Sequence, residues 1–351
     1  EIYTLSLHDA LPIYYRSIPE ELIADHPPAV RGEARLLVLD RQTGTYKDCA
    51  YSDVVDYLEP GDTLVINDTK VIKARLITHK ATGGKRELVL VEKHGGQDDW
   101  FRHKVIYRRR LAVGDRLFIG DDTLTVEEIL GDGLAIVRSS RDLLDIAEEY
   151  GSVPLPPYMN RMATADDIER YQTVFARELG SVAAPTASLN MTEKTLDQLR
   201  DKGVNVVYAT LHVGLGTFLP IRVDDVTKHK MHQEYFEVPE ETVRIIQATK
   251  KAKKRVIALG TTITRTLEYA HEAILNEPPQ KISGEADIFI YPGYKFQTID
   301  GLLTNFHMPE STVLMLTSAF AGWNHLKPAY EHCIAEKYHF FSSIIDRKSV
   351  V

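Results

Sequence analysis

RVIALGTTITRTLEYAHEAIL (255–275) runs from an apolar stretch through Gly260 into a segment whose apolar residues recur at helical spacing. That is a strand delivering the chain straight into a helix. The alternation continues on both sides. Before it come a helix over 192–203, a strand over 204–213, the strand EYFEV (234–238) and a helix over 239–254. After it come a strand ADIFIY (286–291), another near 301–306, and a helix over 309–322 with Pro309 near its first turn. Mixed strands and helices in this order predict an α/β sandwich.

Residues 35–51 read as a hairpin turning near Thr43–Gly44, followed by a short helix, the turn EPGD and the strand TLVIN (63–67). The pattern then changes. Over 71–138, VIKARLIT, RELVLVEK, WFRHKVI, DRLFIG, TLTVEEIL and LAIVRSS are short strands separated by polar turns, which predicts a small β-barrel. RDLLDIAEEY (141–150) reads as a helix, and the proline-rich GSVPLPPYMNR (151–161) as the exit from the barrel.

The chain has 351 residues, 44% hydrophobic and 26% charged, which excludes a disordered polypeptide and gives room for two domains. A net charge of −8 argues against indiscriminate nucleic-acid binding. Two local basic clusters, YRRR (107–110) and KKAKKR (250–255), are either phosphate contacts or solvated faces. Cys49 and Cys333 are isolated, so neither a disulfide framework nor a zinc site is expected. No apolar run reaches membrane-spanning length, and the expectation is a soluble cytoplasmic protein. Residues 1–13 and 346–351 read as translated sequencing-adapter sequence and are set aside from the fold reading.

Three strand ends carry polar groups. In TLHVGLGTFLP (210–220), His212 precedes Gly214 and Gly216, with Thr217 next. The third glycine of a dinucleotide fingerprint is missing, so the turn either lets a ligand approach or is a structural bulge. In IALGTTITRTLE (257–268), Thr261 and Thr262 open a helix whose free N–H groups suit a carboxylate or phosphate. Arg265 and Glu268, three apart, share a face there, offering a cation and an acid to one cleft. In LLTNFHMPEST (302–312), Asn305 and His307 repeat the arrangement. Loops beyond the carboxyl ends of strands form the usual ligand crevice of such folds. HKMH (229–232) places two histidines three apart, without the acidic partner a metal site calls for.

IPEELIADHP, RLLVLDRQTG, GDTLVINDTKVIKARL, TGGK, VPLPPYMNR, RYQTVFA, TLHVGLGTF, HKMH, FIYPGY and LLTNFHMPEST occur in this order over roughly residues 15–342. Together they resemble the S-adenosylmethionine:tRNA ribosyltransferase-isomerase family of queuosine synthesis. The resemblance implies a three-layer α/β/α sandwich (14–60 and 151–345) with an inserted β-barrel domain (61–150). It implies that the ribosyl part of S-adenosylmethionine, a co-substrate, moves to 7-aminomethyl-7-deazaguanine at the tRNA wobble position. Epoxyqueuosine forms, adenine and methionine leave, and no metal or other bound cofactor is implied. The expected partner is tRNA, with the protein a monomer and no membrane involved. Where the family reads AAPTAGLHFT, this chain has Ser188, Asn190 and Met191 in place of glycine, histidine and phenylalanine.

A sulfonium acidifies its attached 5′ carbon, so a base must remove a proton there, and adenine must be protonated or hydrogen-bonded as it departs. His212, His232 and His307 are the titratable candidates, with Asp68 of NDTK as a further acceptor. Arg265 with the Thr261–Thr262 helix start is the candidate holder of the methionine carboxylate. Tyr158 and Tyr171 either stack on a base or pack in the core, and Arg161 is a further substrate contact. The alternatives are an S-adenosylmethionine-dependent RNA methyltransferase and a non-catalytic tRNA-binding protein.

Overall fold

The computed structural model describes residues 18–23, 30–95, 99–155, 163–214, 229, 231–309, 311–340 and 347–350. The hairpin β1 (Arg35–Leu39) and β2 (Tyr46–Ala50) leads through a short 3-10 helix into β3 (Thr63–Asn67) and β4 (Thr69–Val71). The barrel strands follow: β5 (Arg75–Lys80), β6 (Lys85–Leu90), β7 (Arg102–Arg108), β8 (Arg116–Ile119), β9 (Asp122–Gly131) and β10 (Leu134–Ser139). Helices α1 (Leu143–Tyr150) and α2 (Ala165–Arg170) bring the chain back through β11 (Glu178–Ser181) to α3 (Glu193–Asp201) and β12 (Asn205–Leu211). Then come β13 (Glu234–Val238), α4 (Glu240–Lys251), β14 (Val256–Leu259), α5 (Thr261–Tyr269), α6 (His271–Asn276) and β15 (Ile282–Ala286). The last elements are β16 (Gly301–Asn305), α7 (Thr312–Ala321), α8 (Trp323–Ala335) and β17 (Arg347–Val350).

Nine strands form one sheet in the order β15-β13-β12-β3-β14-β16-β17-β1-β2. Its central strands β12, β3, β14 and β16 are mutually parallel. Because side chains alternate across a strand, each central strand feeds two cores. Val65, Val256, Ala258 and Leu302 join the layer of α4, α5, α7 and α8. Leu64, Ile66, Ile257, Leu259 and Leu303 join the layer of α3 and the short helix after β2. Strands buried on both faces are apolar almost throughout, as TLVIN and VIAL are. The three-layer α/β/α architecture follows from that alternation.

Six strands close into a separate barrel in the order β10-β7-β6-β5-β8-β9. Leu76, Leu88, Leu90, Val105, Leu117 and Val137 fill it, and Leu143 and Ile146 of α1 pack into the same core. The sequence boundary at 61 is corrected here. Thr63–Asn67 is a central strand of the large sheet, and the barrel begins at Arg75. A short apolar strand carries no signal for which sheet will take it.

Three local expectations also change. The segment 286–291 is not a strand; the strand is Ile282–Ala286, which pairs antiparallel with β13. The helix read over 261–275 is two helices meeting at Ala270. Pro309 lies ahead of α7, whose cap is Ser311, its hydroxyl accepting from Leu314 N–H at 3.2 Å. At the end of the chain, β17 lies between β16 and β1, antiparallel to the first and parallel to the second.

Candidate functional site

The carboxyl ends of β3, β12, β14 and β16 lie side by side, which brings Asn67, His212, the Gly260–Thr262 turn and Asn305 to one end of the sheet. Gly260 has φ +93°, a conformation open to glycine and costly for other residues, and no side chain caps the helix it starts. The first N–H groups of α5 are therefore offered outward. Thr261, Thr262 and Arg265 line a cleft whose other wall is Met231, Phe289 and Thr312. Asn67 ties this turn to the sheet. Its Nδ2 donates to Leu211 O at 3.0 Å and Thr262 Oγ1 at 3.3 Å, while its Oδ1 accepts from Leu211 N–H and Thr69 N–H.

Arg265 is buried and donates to the equally buried Glu234 at the start of β13, and also to Ala286 O at 3.2 Å. Glu234 Oε1 in turn accepts the Gly214 N–H at 2.9 Å. A buried charge of either sign alone is costly, so the glutamate holds the guanidinium at the cleft wall. Its Nε has no hydrogen-bond partner among the described residues.

Gly214 also meets the barrel. A Cβ placed on it would lie 2.5 Å from the Glu92 carboxyl carbon, so only glycine permits this approach. Glu92 stands 3.4 Å from His94 Nε2, and His94 Nδ1 donates to Glu285 at 3.1 Å. Glu285 also accepts the Gly95 N–H at 2.7 Å. Hydrogen bonding to Glu92, and then to Glu285, raises the His94 pKa above the ordinary histidine value against the opposing effect of burial. Since Glu285 pairs opposite Tyr235, and Ala286 opposite Glu234, the His94 and Arg265 clusters flank the β13–β15 edge and meet at Gly214.

His212 is buried on the barrel side, hydrogen-bonded through Nδ1 to Thr69 Oγ1 at 2.8 Å and stacked on Tyr235. Burial, with Lys93 and His94 nearby, lowers its pKa to about 3. Its imidazole is neutral and a weak base. His307 contacts Thr304 Oγ1 at 3.0 Å and passes its backbone N–H to the Tyr330 hydroxyl. Surrounding protein lowers its pKa to about 3, although part of the residue is solvent-exposed. His232 is exposed beside His229. Among the described residues no histidine, cysteine and carboxylate group is arranged to hold a metal.

Several residues expected at the cleft have partners elsewhere or lie outside the described residues. Glu268 is fully buried and turns away from the cleft. Its carboxylate accepts N–H groups of Gln297, Thr298 and Ile299 and the Tyr294 hydroxyl, clamping the loop after β15. Asp68 is taken up by Arg177 at 2.9 Å and by the Thr210 hydroxyl at 2.7 Å. Tyr171 is inside the second core. Asn305 reaches Thr186 Oγ1 at 3.0 Å, joining the end of β16 to the segment that carries Ser188. Tyr158, Arg161, Gly216 and Thr217 lie outside the described residues. Ser188 Oγ and Asn190 Nδ2 are buried without a hydrogen-bond partner among the described residues, and Met191 fills the core beside Tyr51.

Sequence reasoning missed Asn67, Glu92, His94, Glu234 and Glu285. VEKHGG carried no motif, and only the approach of the barrel to Gly214 makes a group of these residues.

The queuosine biosynthesis protein family matches residues 13–343. The S-adenosylmethionine:tRNA ribosyltransferase-isomerase of Chlorobium phaeobacteroides is 51% identical over 328 residues, 93% of this chain and 95% of its own length. Those of Pelodictyon phaeoclathratiforme and Francisella tularensis are 52% identical over 330 residues and 47% over 327, with the same coverage. The crystal structure of S-adenosylmethionine tRNA ribosyltransferase from Thermotoga maritima is similar with a TM-score of 0.54 and 30% identity, covering 96% of this chain and 99% of that one.

Proposed function

We infer the function from one premise: the chain belongs to the queuosine biosynthesis protein family. It is a transferase-isomerase of the S-adenosylmethionine:tRNA class. The observation that carries this is about half-identity to enzymes of that name along 95% of their length. The methyltransferase and binding-module alternatives find no support in those relatives.

In the finer reading, the ribosyl moiety passes to the aminomethyl group of a wobble-position 7-deazaguanine, giving epoxyqueuosine, adenine and methionine. S-adenosylmethionine lies around Gly214. The methionine carboxylate meets the free N–H groups at the start of α5 and Arg265, and the apolar wall of Met231 and Phe289 takes the chain near the sulfonium. Glu92 removes a proton from the 5′ carbon. His94, whose protonated form Glu92 and Glu285 favour, gives a proton to adenine as the bond to ribose breaks and its electron pair leaves with the base. The aminomethyl nitrogen bonds to a ribosyl carbon and loses its proton to solvent, the carbon–sulfur bond breaks with its electron pair leaving on methionine, and transfer from Glu92 to His94 across 3.4 Å restores both groups. His212, too weakly basic for this work, positions Thr69 and Tyr235 beside them. The protein works in the cytoplasm as a monomer, and among the described residues no helix is long and apolar enough to cross a membrane.

The test is adenine release measured with and without tRNA bearing the aminomethyl base. Release that requires both substrates is expected; equal release without tRNA would overturn the assignment. Glu92→Gln and His94→Asn should each lower kcat by about a hundredfold, the usual contribution of a positioned acid or base, and unchanged kcat in both would remove the pair from the mechanism.

A further inference from the structure

The barrel has two unlike ends. At one, the chain leaving β6 meets the sandwich: Lys93 N–H donates to Gly180 O, and Gly95 N–H to Glu285. At the other, the start of β6 and the end of β7 lie side by side, since Glu87 pairs with Arg108 and Arg86 Nε donates to Arg110 O at 3.2 Å. The turns at this far end, 80–86, 108–116 and 131–133, hold seven basic residues against two acids, Asp115 and Asp132. Lys80 is neutralised by Asp115. Lys85, Arg86, Arg108, Arg109 and Arg110 have no carboxylate within ion-pair distance among the described residues, and the three consecutive arginines are exposed.

In the other basic cluster of the sequence three of the five cations are paired, Lys250 with Asp300, Lys254 with Glu59 and Arg255 with Asp62. Nearer the middle of the barrel, Arg102 and Arg138 share Glu127. An acidic protein with net charge −8 thus keeps five cations without carboxylate partners, among the described residues, together on one tip. Arg109 is also held at φ +69°, a conformation unfavourable for a long side chain, at the centre of the run.

We propose that this far end of the barrel is a docking surface for the phosphate backbone of the tRNA substrate, at a distance from the base that reacts. The inference rests on the ribosyl-transfer reading above. Arg86 and His94 are eight positions apart along nearly extended chain, which puts the patch up to about 26 Å from the Gly214 seam. A helical stem whose loop enters the seam can therefore lay its backbone on the tip. Arginines without carboxylate partners keep their donors free for phosphate oxygens, and such contacts position the nucleic acid without reading its sequence.

The experiment uses the full chain carrying Arg108→Gln, Arg109→Asn and Arg110→Gln together, asparagine being, after glycine, among the residues most tolerant of the φ at 109. Wild-type enzyme showing tRNA-dependent adenine release establishes the parent reading. With the variant, KM for tRNA should rise about tenfold at near-physiological salt, and the slope of log KM against log salt should fall by about 2, as expected when about three phosphate contacts are lost. The kcat at saturating tRNA and the KM for S-adenosylmethionine should not move. An RNA cut down to the loop and its first base pairs, too short to reach the tip, should have the same KM with both enzymes. Wild-type activity with an unchanged tRNA KM and salt slope in the variant would overturn the proposal. So would loss confined to binding of anionic vesicles.

Discussion

Removing the Glu268 carboxylate should damage stability and leave the chemistry alone. The residue is completely buried, and its two oxygens accept four hydrogen bonds: Thr298 N–H at 2.9 Å and Ile299 N–H at 3.0 Å on one, Gln297 N–H at 2.8 Å and the Tyr294 hydroxyl at 3.1 Å on the other. In Glu268→Gln, the amide oxygen keeps one pair of donors. The amide NH2 then confronts Gln297 N–H, donor against donor, while the Tyr294 hydroxyl can rotate to accept. One charge-assisted bond is lost and the others become neutral, a cost of about 3 kcal/mol. Glu268→Ala leaves the two buried backbone N–H groups of Thr298 and Ile299 unpaired at about 1–3 kcal/mol each, a large share of the roughly 5–15 kcal/mol that hold a typical protein folded. The glutamine variant should unfold at lower urea concentration by circular dichroism and lose amide-exchange protection at 297–299. Its affinity for S-adenosylmethionine should stay within about twofold. A glutamine variant as stable as the parent but deficient in S-adenosylmethionine binding would refute the reasoning and return Glu268 to the cleft.

Gly214→Ala should fold, because the group its Cβ meets is the end of a flexible glutamate; it should displace Glu92, lower the His94 pKa by NMR titration and reduce kcat. Glu285→Gln should also lower that pKa. In the proposed mechanism the protonated imidazole is the working form, so the fall of kcat/KM with rising pH should move to lower pH, and an unmoved limb would argue against His94 as the acid. The raised His94 pKa also contributes stability that is complete below the unfolded-state value of about 6.5 and lost as pH rises through the folded value. The opposite sign applies to the buried His103 and His212, lowered to about 4 and 3 chiefly by burial. They stay neutral in the folded state, so stability should fall as pH drops from about 6.5 toward 4, by up to about 1.4 kcal/mol per pH unit for each. His103→Gln should flatten that slope, and a flat profile in the parent would contradict their burial as neutral rings.

Periodicity and punctuation are local, so the sequence by itself determined the alternating sandwich, the run of short barrel strands and the polar turns at the strand ends. TLVIN is apolar on both faces in either sheet, so its membership in the large sheet was decided only by tertiary pairing with β12 and β14. The same limit applied to the site. Arg265 and Glu268 share a helical face at the level of spacing, yet one turns to Glu234 and the other clamps a loop around Gln297. His94 and Glu285, 191 residues apart, become acid–base neighbours only because the barrel packs against the β13–β15 edge. The charge and burial that tune an ionisable group come from whatever the fold brings near it, and spacing along the chain does not encode that.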